Sequence, residues 1–156
     1  MIIDNLDFAN KHLSLKGEID LENSLRIKDN DNPYRGKLNF ELHGIREPKN
    51  KPFINGTICG RITALCQICL TEVEIDISHS FSVQIFNSEE ALNLALFDED
   101  SPVEDGIVKN PEFDVVEFIE DEIIMTLPLA PKHDKCEFES LKDNDANPFA
   151  VLKKLK

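Results

Sequence analysis

Two pairs of metal-binding residue types, far apart in the chain, constrain what this sequence can fold into more than any other feature. Cys66 and Cys69 form a Cys-x-x-Cys pair, and His133 and Cys136 form a His-x-x-Cys pair. Together the pairs offer the three sulfurs and one imidazole that a tetrahedral zinc ion accepts. Compact zinc modules separate their pairs by about 12 to 20 residues, whereas almost half of this chain separates Cys69 from Cys136. A shared ion would therefore join two distant segments instead of organising a small finger.

The residue pattern leaves three interpretations of these four side chains open. They hold one structural zinc ion, or the cysteines are free thiols at a turn, or Cys66 and Cys69 form a redox disulfide. Redox enzymes place a Cys-x-x-Cys at the start of a helix, whereas this one lies between predicted strands. The remaining cysteine, Cys59, falls within a strand pattern, and we expect it to be a small core residue.

Composition restricts the class of protein and its partners. A chain of 156 residues with 41% hydrophobic side chains can bury one core, so we predict a single domain over 1–156. The N-terminus lacks an export signal and no window suits a membrane span, which favours a cytoplasmic protein with reduced thiols. A net charge of −13 repels bare nucleic acid at long range. Much of the acid lies between Asp98 and Glu122, and we predict that 98–110 forms an acidic loop.

Alternation of apolar and polar residues predicts an antiparallel sheet in the middle of the chain. Apolar side chains recur at every second position, the period that places them on one face of a strand. The alternating runs are Leu38 to Leu42, Ile58 to Ala64, Val73 to Ile77 and Phe81 to Ile85. The Cys66–Cys69 turn falls between two of these strands, at the tip of a hairpin.

Two helices are predicted after the strands. Ser88 can cap a short helix that ends near Leu96, and Asp114 can cap an amphipathic helix that runs to Leu127 and stops at Pro128. The predicted fold class is therefore α+β. Its sheet is mainly antiparallel and curved or barrel-like, one amphipathic helix packs against it, and a short helix follows at the C-terminus.

The C-terminal residues carry a second candidate site. We predict a polar flexible stretch at 137–147 and then a short helix that starts at Pro148. Its apolar residues, including Phe149, recur every third position, and it carries Lys153, Lys154 and Lys156. A helix this short must dock on something. It either folds back on its own sheet or contacts a partner protein or RNA.

Three segments, 65–70, 117–134 and 147–156, resemble the YceD family of large ribosomal RNA subunit accumulation proteins. They occur in the family's order, and the resemblance runs from about Leu38 to the C-terminus. Cys66 and Cys69 match the family's paired cysteines. The family usually has a basic residue between them, where this chain has Ile68.

The resemblance implies a non-enzymatic ribosome biogenesis factor that promotes synthesis, processing or stability of large-subunit (23S) ribosomal RNA. It implies a ribosomal RNA precursor or a ribosome assembly protein as partner. A small-molecule substrate is not expected, and structural zinc is the one cofactor that the residues suggest. The alternative from another functional class is a thiol-disulfide oxidoreductase or zinc-binding protein that uses Cys66 and Cys69. The acid-rich helix supplies no nucleophile within reach of its carboxylates, so we do not expect it to be catalytic.

Overall fold

The computed structural model describes residues 1–28, 34–47, 51–97, 103 and 105–136. The strands in this part of the chain are β1 (Ile2–Ile3), β2 (Ser14–Asp20), β3 (Arg35–Glu47), β4 (Lys51–Leu65), β5 (Glu72–Phe86), β6 (Gly106–Val108) and β7 (Phe113–Asp114). The helices are α1 (Asn5–Asn10), α2 (Leu25–Lys28), α3 (Glu89–Leu96) and α4 (Val115–Thr126). The predicted α+β class is confirmed.

The main sheet has five strands in the order β2-β3-β4-β5-β6. Neighbours pair antiparallel, except that β6 runs parallel to β5. The edge strands β2 and β6 do not pair with each other in the described residues, so the sheet is not closed into a barrel. β1 and β7 form a separate two-stranded sheet that joins the N-terminus to the start of α4.

The long β4–β5 hairpin is the central feature of the sheet. Two of the predicted alternating runs, Val73 to Ile77 and Phe81 to Ile85, lie on the one strand β5. Because both runs occupy odd positions, the strand keeps the same face inward through Ser78, His79 and Ser80. The predicted acidic stretch 98–110 is partly regular as well, since Gly106–Val108 forms β6 beside the end of β5.

Only one face of the sheet is apolar. On β4 the even positions point inward, and Ile54, Ile58 and Ile62 are almost fully buried. Cys59 is an odd position on that strand and is exposed on the outer face, so its predicted place in the core is wrong. The β4 alternation itself contains this information, because Cys59 lies between inward-facing Ile58 and Gly60.

Helix α1 lies unusually close to the sheet because of a glycine. A Cβ atom on Gly44 would stand 2.3 Å from the carbonyl oxygen of Phe8 and 2.8 Å from the Cα of Ala9. The backbone of α1 therefore rests directly on β3, and Phe8 and Ala9 are buried there. The absence of a side chain at Gly44 makes this approach possible.

The predicted amphipathic helix is observed as α4. Asp114 is its N-cap, and the carboxylate accepts a hydrogen bond from the N–H of Val116 at 2.9 Å. The N-terminal ammonium of Met1 also bonds this carboxylate and, with Val116, lowers the pKa of Asp114. Val115, Ile119 and Ile123 form the buried stripe that packs on the sheet.

The other predicted helix is observed as α3, but it packs differently. Ser88 caps it by accepting a hydrogen bond from the N–H of Ala91 at 3.3 Å. No residue of α3 is buried, in contrast to α4. The predicted flexible stretch 137–147 and the predicted C-terminal helix lie outside the described residues.

Candidate metal centre

The tight turn between β4 and β5 presents the first pair of candidate ligands. The turn closes through two backbone hydrogen bonds, from Cys66 N–H to the oxygen of Thr71 at 2.8 Å and from Leu70 N–H to the oxygen of Cys66 at 2.9 Å. Leu70 adopts the left-handed conformation with φ of 59°. This conformation reverses the chain after Cys69 and brings the Cys69 side chain back toward Cys66. We call residues 66–71 the knuckle.

The second pair arrives on a strap, residues 128–136, that follows α4. Three hydrogen bonds hold this strap across the end of the sheet. The Tyr34 hydroxyl donates to the oxygen of Pro128, the Gln67 N–H donates to the oxygen of Pro131 at 2.8 Å, and His133 Nε2 lies 3.0 Å from the oxygen of Glu72. These bonds carry the strap to the knuckle independently of any ion.

The strap and the knuckle bring the four predicted ligands together. One ligand atom from each of Cys66, Cys69, His133 and Cys136 lies within 4.8 Å of all the others. The sulfurs of Cys66 and Cys136 are 3.7 Å apart, and the sulfur of Cys69 is 3.5 Å from His133 Nδ1.

These two separations agree with the edges of a zinc tetrahedron. Zinc–sulfur bonds of about 2.3 Å and zinc–nitrogen bonds of about 2.0 to 2.1 Å at tetrahedral angles place two sulfurs about 3.8 Å apart. The same bonds place a sulfur and a nitrogen about 3.6 Å apart. The donor set fits zinc in chemistry and in size.

The surroundings orient the ligands as metal sites usually do. His133 Nε2–H donates to the Glu72 oxygen, which leaves the Nδ1 lone pair directed at Cys69. The Thr71 hydroxyl lies 3.1 Å from the Cys69 sulfur, where it can donate to a thiolate. Cys66 is fully buried, whereas Cys69 is exposed. An ion held here would be enclosed on its Cys66 side and close to solvent on its Cys69 side.

The pKa values of the thiols show which of them the protein alone can ionise. Burial opposes ionisation of Cys66, but the backbone N–H groups of Cys69, Ile68 and His133 outweigh it and lower the Cys66 pKa to about 5. The Thr71 hydroxyl, with its backbone N–H, lowers the pKa of Cys69. Hydrogen bonding to Cys66 raises the pKa of His133.

Cys136 behaves differently from the other two thiols of the cluster. Burial, together with the neighbouring sulfurs of Cys69 and Cys66, raises the pKa of Cys136 to about 12. A third thiolate in this space requires a compensating positive charge, and a divalent cation supplies one. The same argument makes metal affinity fall at low pH, when protons compete for the ligands.

The chemistry of this site favours binding over redox turnover. With four protein ligands in place, zinc has no open position for a substrate. A redox pair needs an accessible attacking thiol. Of the two thiols whose pKa is lowered, Cys66 is fully buried and Cys69 is exposed, so only Cys69 could attack a substrate from solvent. The candidate contacts Phe149, Lys153, Lys154 and Lys156 lie outside the described residues. Of the predicted site residues, the structure therefore places only the three cysteines and the histidine of the cluster.

The sequence patterns did not predict the partly buried contact between His79 and Glu122. Glu122 of α4 is only 3% exposed, and its Oε2 lies 3.1 Å from His79 Nε2 on β5. Burial raises the pKa of Glu122, which His79 partly counteracts. A signal was present, because Glu122 lies between the buried positions 119 and 123 and belongs to the apolar stripe of the helix.

Comparison with known proteins connects this site to a family. The family model described as large ribosomal RNA subunit accumulation protein YceD matches residues 54–156. The matched segment contains all but the first three residues of the hairpin, with the knuckle, α4 and the strap, and so all four members of the cluster. Neither the comparison with curated proteins nor that with solved structures found a match. None of the helices in the described part of the chain has the length and apolar content that a membrane crossing needs.

Proposed function

The chain belongs to the YceD family, and on that premise we propose that it is a non-enzymatic ribosome biogenesis factor. It promotes the synthesis, processing or stability of large-subunit (23S) ribosomal RNA in the cytoplasm. Its partner is a ribosomal RNA precursor or a ribosome assembly protein. The observation that carries this proposal is the family match over 54–156, which covers the whole candidate metal centre.

In this function the metal centre has a structural role. Cys66, Cys69, His133 and Cys136 hold one zinc ion that fastens the strap to the knuckle. The ion saturates its coordination with protein ligands, so its contribution is to the shape and stability of this end of the molecule. The surfaces of the protein, and not the ion, then carry recognition.

Two surfaces differ in the partner that they favour. The exposed side of α4 carries Glu117 and Asp121, which favour a basic protein and repel RNA. Arg26 of α2 bonds Asp121 and offsets part of this charge. If RNA is contacted directly, the basic residues Lys153, Lys154 and Lys156, with Phe149 as an apolar anchor, are the candidates for that contact.

The test is complementation in cells that lack the chain. Wild-type protein should restore the ratio of large-subunit to small-subunit ribosomal RNA, measured on total RNA by electrophoresis. Cys136→Ser should restore it less well because the strap loses the attachment that the ion adds to its hydrogen bonds. Cys59→Ser, which changes an exposed thiol outside the cluster, should act like wild type. An unchanged ratio on removal and on return of the wild-type chain would refute the proposed function.

A thiol-disulfide oxidoreductase is the second candidate, favoured by Cys69, an exposed thiol whose pKa is lowered and which shares a turn with Cys66. As an enzyme that uses Cys66 and Cys69, it predicts turnover of a disulfide substrate with a dithiol reductant. It also predicts that Cys136→Ser keeps this activity. Turnover that survives Cys136→Ser and stops in Cys69→Ser would favour this function over the structural zinc site.

A further inference from the structure

Helix α3 presents its largest apolar side chains to solvent. Leu94 is 76% exposed and Phe97, which caps the helix at its C-terminus, is 84% exposed. The two residues are three positions apart and therefore share one side of the helix. The helix is attached to the sheet on its other side, where Leu92 lies against Gly106 of β6. We call the side that carries Leu94 and Phe97 the outer face of α3.

This arrangement is not explained by the stability of the protein alone. The helix has eight residues, and isolated helices shorter than about 12 residues are marginal in water. Solvent-exposed Leu and Phe side chains add no buried area to the folded chain. Neighbouring exposed apolar residues on an ordered element are typical of an interaction surface, and aromatic residues often dominate the binding energy of such surfaces.

Charge argues against RNA and against a second α3 as the occupant. The first turn of α3 contains Glu89 and Glu90, the helix carries no basic residue, and Asp105 precedes the adjoining strand β6. A phosphate backbone is repelled by this set of carboxylates. Two α3 helices from two copies of the chain would likewise bring like charges together.

We propose that the outer face of α3 is a docking surface for a basic protein segment that carries apolar anchor residues. The segment inserts its apolar residues between Leu94 and Phe97 and places its Lys or Arg side chains against Glu89 and Glu90. This rests on the proposed function, from which the partner class follows. A large-subunit ribosomal protein needs basic residues to neutralise RNA phosphates, and an acidic factor can hold such a protein before it meets RNA.

The test uses the full chain and proteins extracted from purified large ribosomal subunits. Proteins retained by the immobilised wild-type chain are identified by mass spectrometry, and the affinity of each purified protein is then measured by fluorescence anisotropy. The double variant Leu94→Gln/Phe97→Gln should weaken binding at least about tenfold, as expected for loss of central anchors. Glutamine is a good helix former, so α3 should persist, which circular dichroism checks.

Two further variants separate contact from charge. Glu89→Gln/Glu90→Gln should weaken binding by about threefold and reduce its salt dependence. Met125→Gln is the matched control, because Met125 is a 70% exposed apolar residue of a different helix, α4. It should bind like wild type. Equal binding by the Leu94/Phe97 variant and wild type would overturn the proposal. Self-association, or binding of a ribosomal RNA fragment, that depends on Leu94 and Phe97 would overturn it too.

Complementation distinguishes failure of this inference from failure of the proposed function. If the wild-type chain does not restore large-subunit ribosomal RNA, the proposed function fails. If wild type and Leu94→Gln/Phe97→Gln restore it equally well, the function stands and the docking surface is wrong. If the variant binds no ribosomal protein and restores less RNA, both are supported.

Discussion

The two ends of the β4–β5 hairpin are built in opposite ways. At the knuckle end, the turn, the strap, Tyr34 and the start of β5 are tied together by hydrogen bonds and by the converging ligands of the candidate zinc site. At the other end, β5 leads into α3, which has no buried residue. One end is cross-linked between residues far apart in sequence, and the other presents apolar side chains to solvent.

The difference suggests a division of roles along one hairpin. Cross-links at the knuckle stabilise the fold, because they join segments that would otherwise separate on unfolding. Helix α3 itself contributes little to stability because none of its residues is buried, which leaves its exposed side chains available for a partner. Changes at the knuckle should therefore alter stability first, and changes on α3 should alter binding first.

Removal of one candidate zinc ligand should have the largest effect on the stability of the knuckle end. Cys136→Ser is expected to lose bound zinc and to lower the Tm by roughly 10 °C, because an ion that binds only the folded chain stabilises it by mass action. Native mass spectrometry measures the metal content, and a thermal melt measures the Tm. A chelator added to the wild type should have the same effect.

Cys59→Ser is the control for this experiment. Cys59 is exposed on the outer face of the sheet and should change neither the metal content nor the Tm. A wild-type protein that is purified without chelator and carries no metal, with four titratable thiols, would exclude the zinc site.

The second largest effect should come from Gly44→Ala, near the α3 end of the sheet. The new Cβ would meet the backbone of Phe8 and Ala9, which cannot move without shifting α1. We expect a loss of about 3 kcal/mol in the free energy of unfolding, measured in urea. This would show that α1, and not α3, stabilises that end.

Gly17→Ala provides the comparison for Gly44→Ala. Its Cβ would lie 2.5 Å from the ring of Phe40, a side chain that can move more easily than the backbone. A smaller loss is expected. Equal losses in the two variants would mean that the close approach of α1 has no special cost.

Leu70→Gly, in the knuckle, should stabilise the protein. Leu70 adopts φ of 59° and is 67% exposed, so it has a strained backbone and buries little. Glycine adopts this conformation freely, and the free energy of unfolding should rise by roughly 1 kcal/mol. Leu70→Ala should not show the gain, since alanine shares the steric restriction. A loss of stability in Leu70→Gly would mean that the Leu70 side chain matters more than its backbone.

A smaller effect on stability is expected at Glu122 of α4, which contacts His79 midway along β5. Burial raises the pKa of this carboxyl above its usual value of 4.5. Between the unfolded and the folded pKa the folded protein binds more protons, so stability should fall as the pH rises through this window and stay lower above it. Glu122→Gln removes this dependence, and its Tm relative to wild type should rise by about 1 to 2 °C across the window.

The matched control for Glu122→Gln is Glu117→Gln, on the exposed side of the same helix. It should not reproduce the change in pH dependence. Thermal melts of the three proteins between pH 4 and 8 decide the matter, and a parallel shift of wild type and Glu122→Gln at every pH would contradict the assignment.

The smallest effect on stability is expected for the variant of α3 itself. Leu94→Gln/Phe97→Gln should change the free energy of unfolding by less than about 0.5 kcal/mol, because neither side chain is buried. Urea unfolding measures this. A loss of several kcal/mol would show that α3 helps to stabilise the sheet and would remove the contrast between the two ends.

The sequence predicted the elements whose signal is local. The caps Ser88 and Asp114 marked the starts of α3 and α4, and residue type and spacing selected the four candidate ligands that the structure brings together. That the ligands meet depends on the strap, whose path is set by backbone oxygens of Pro128 and Pro131 that no side-chain pattern encodes.

Other features depended on tertiary contacts. Gly106–Val108 is a strand because Ile107 finds Ile85 as a neighbour, which overrides the acidic composition around it. Glu122 is buried because His79 can meet its carboxylate. The exposure of Cys59 was predictable, because Cys59 is an odd-numbered position on a strand whose even-numbered positions are apolar. The error came from treating its residue type as stronger evidence than its position.

The separation of the ligands also sets an order in time. Cys136 follows Cys66 by 70 positions, so a ribosome that adds about 5 to 20 residues per second completes the set roughly 4 to 14 s after Cys66 is made. The intervening residues include β5, α3, β6, β7 and α4. An ion that needs all four candidate ligands could therefore not start the folding of this chain during translation, as zinc does in a small finger. It would bind only after the main sheet and α4 have been synthesised.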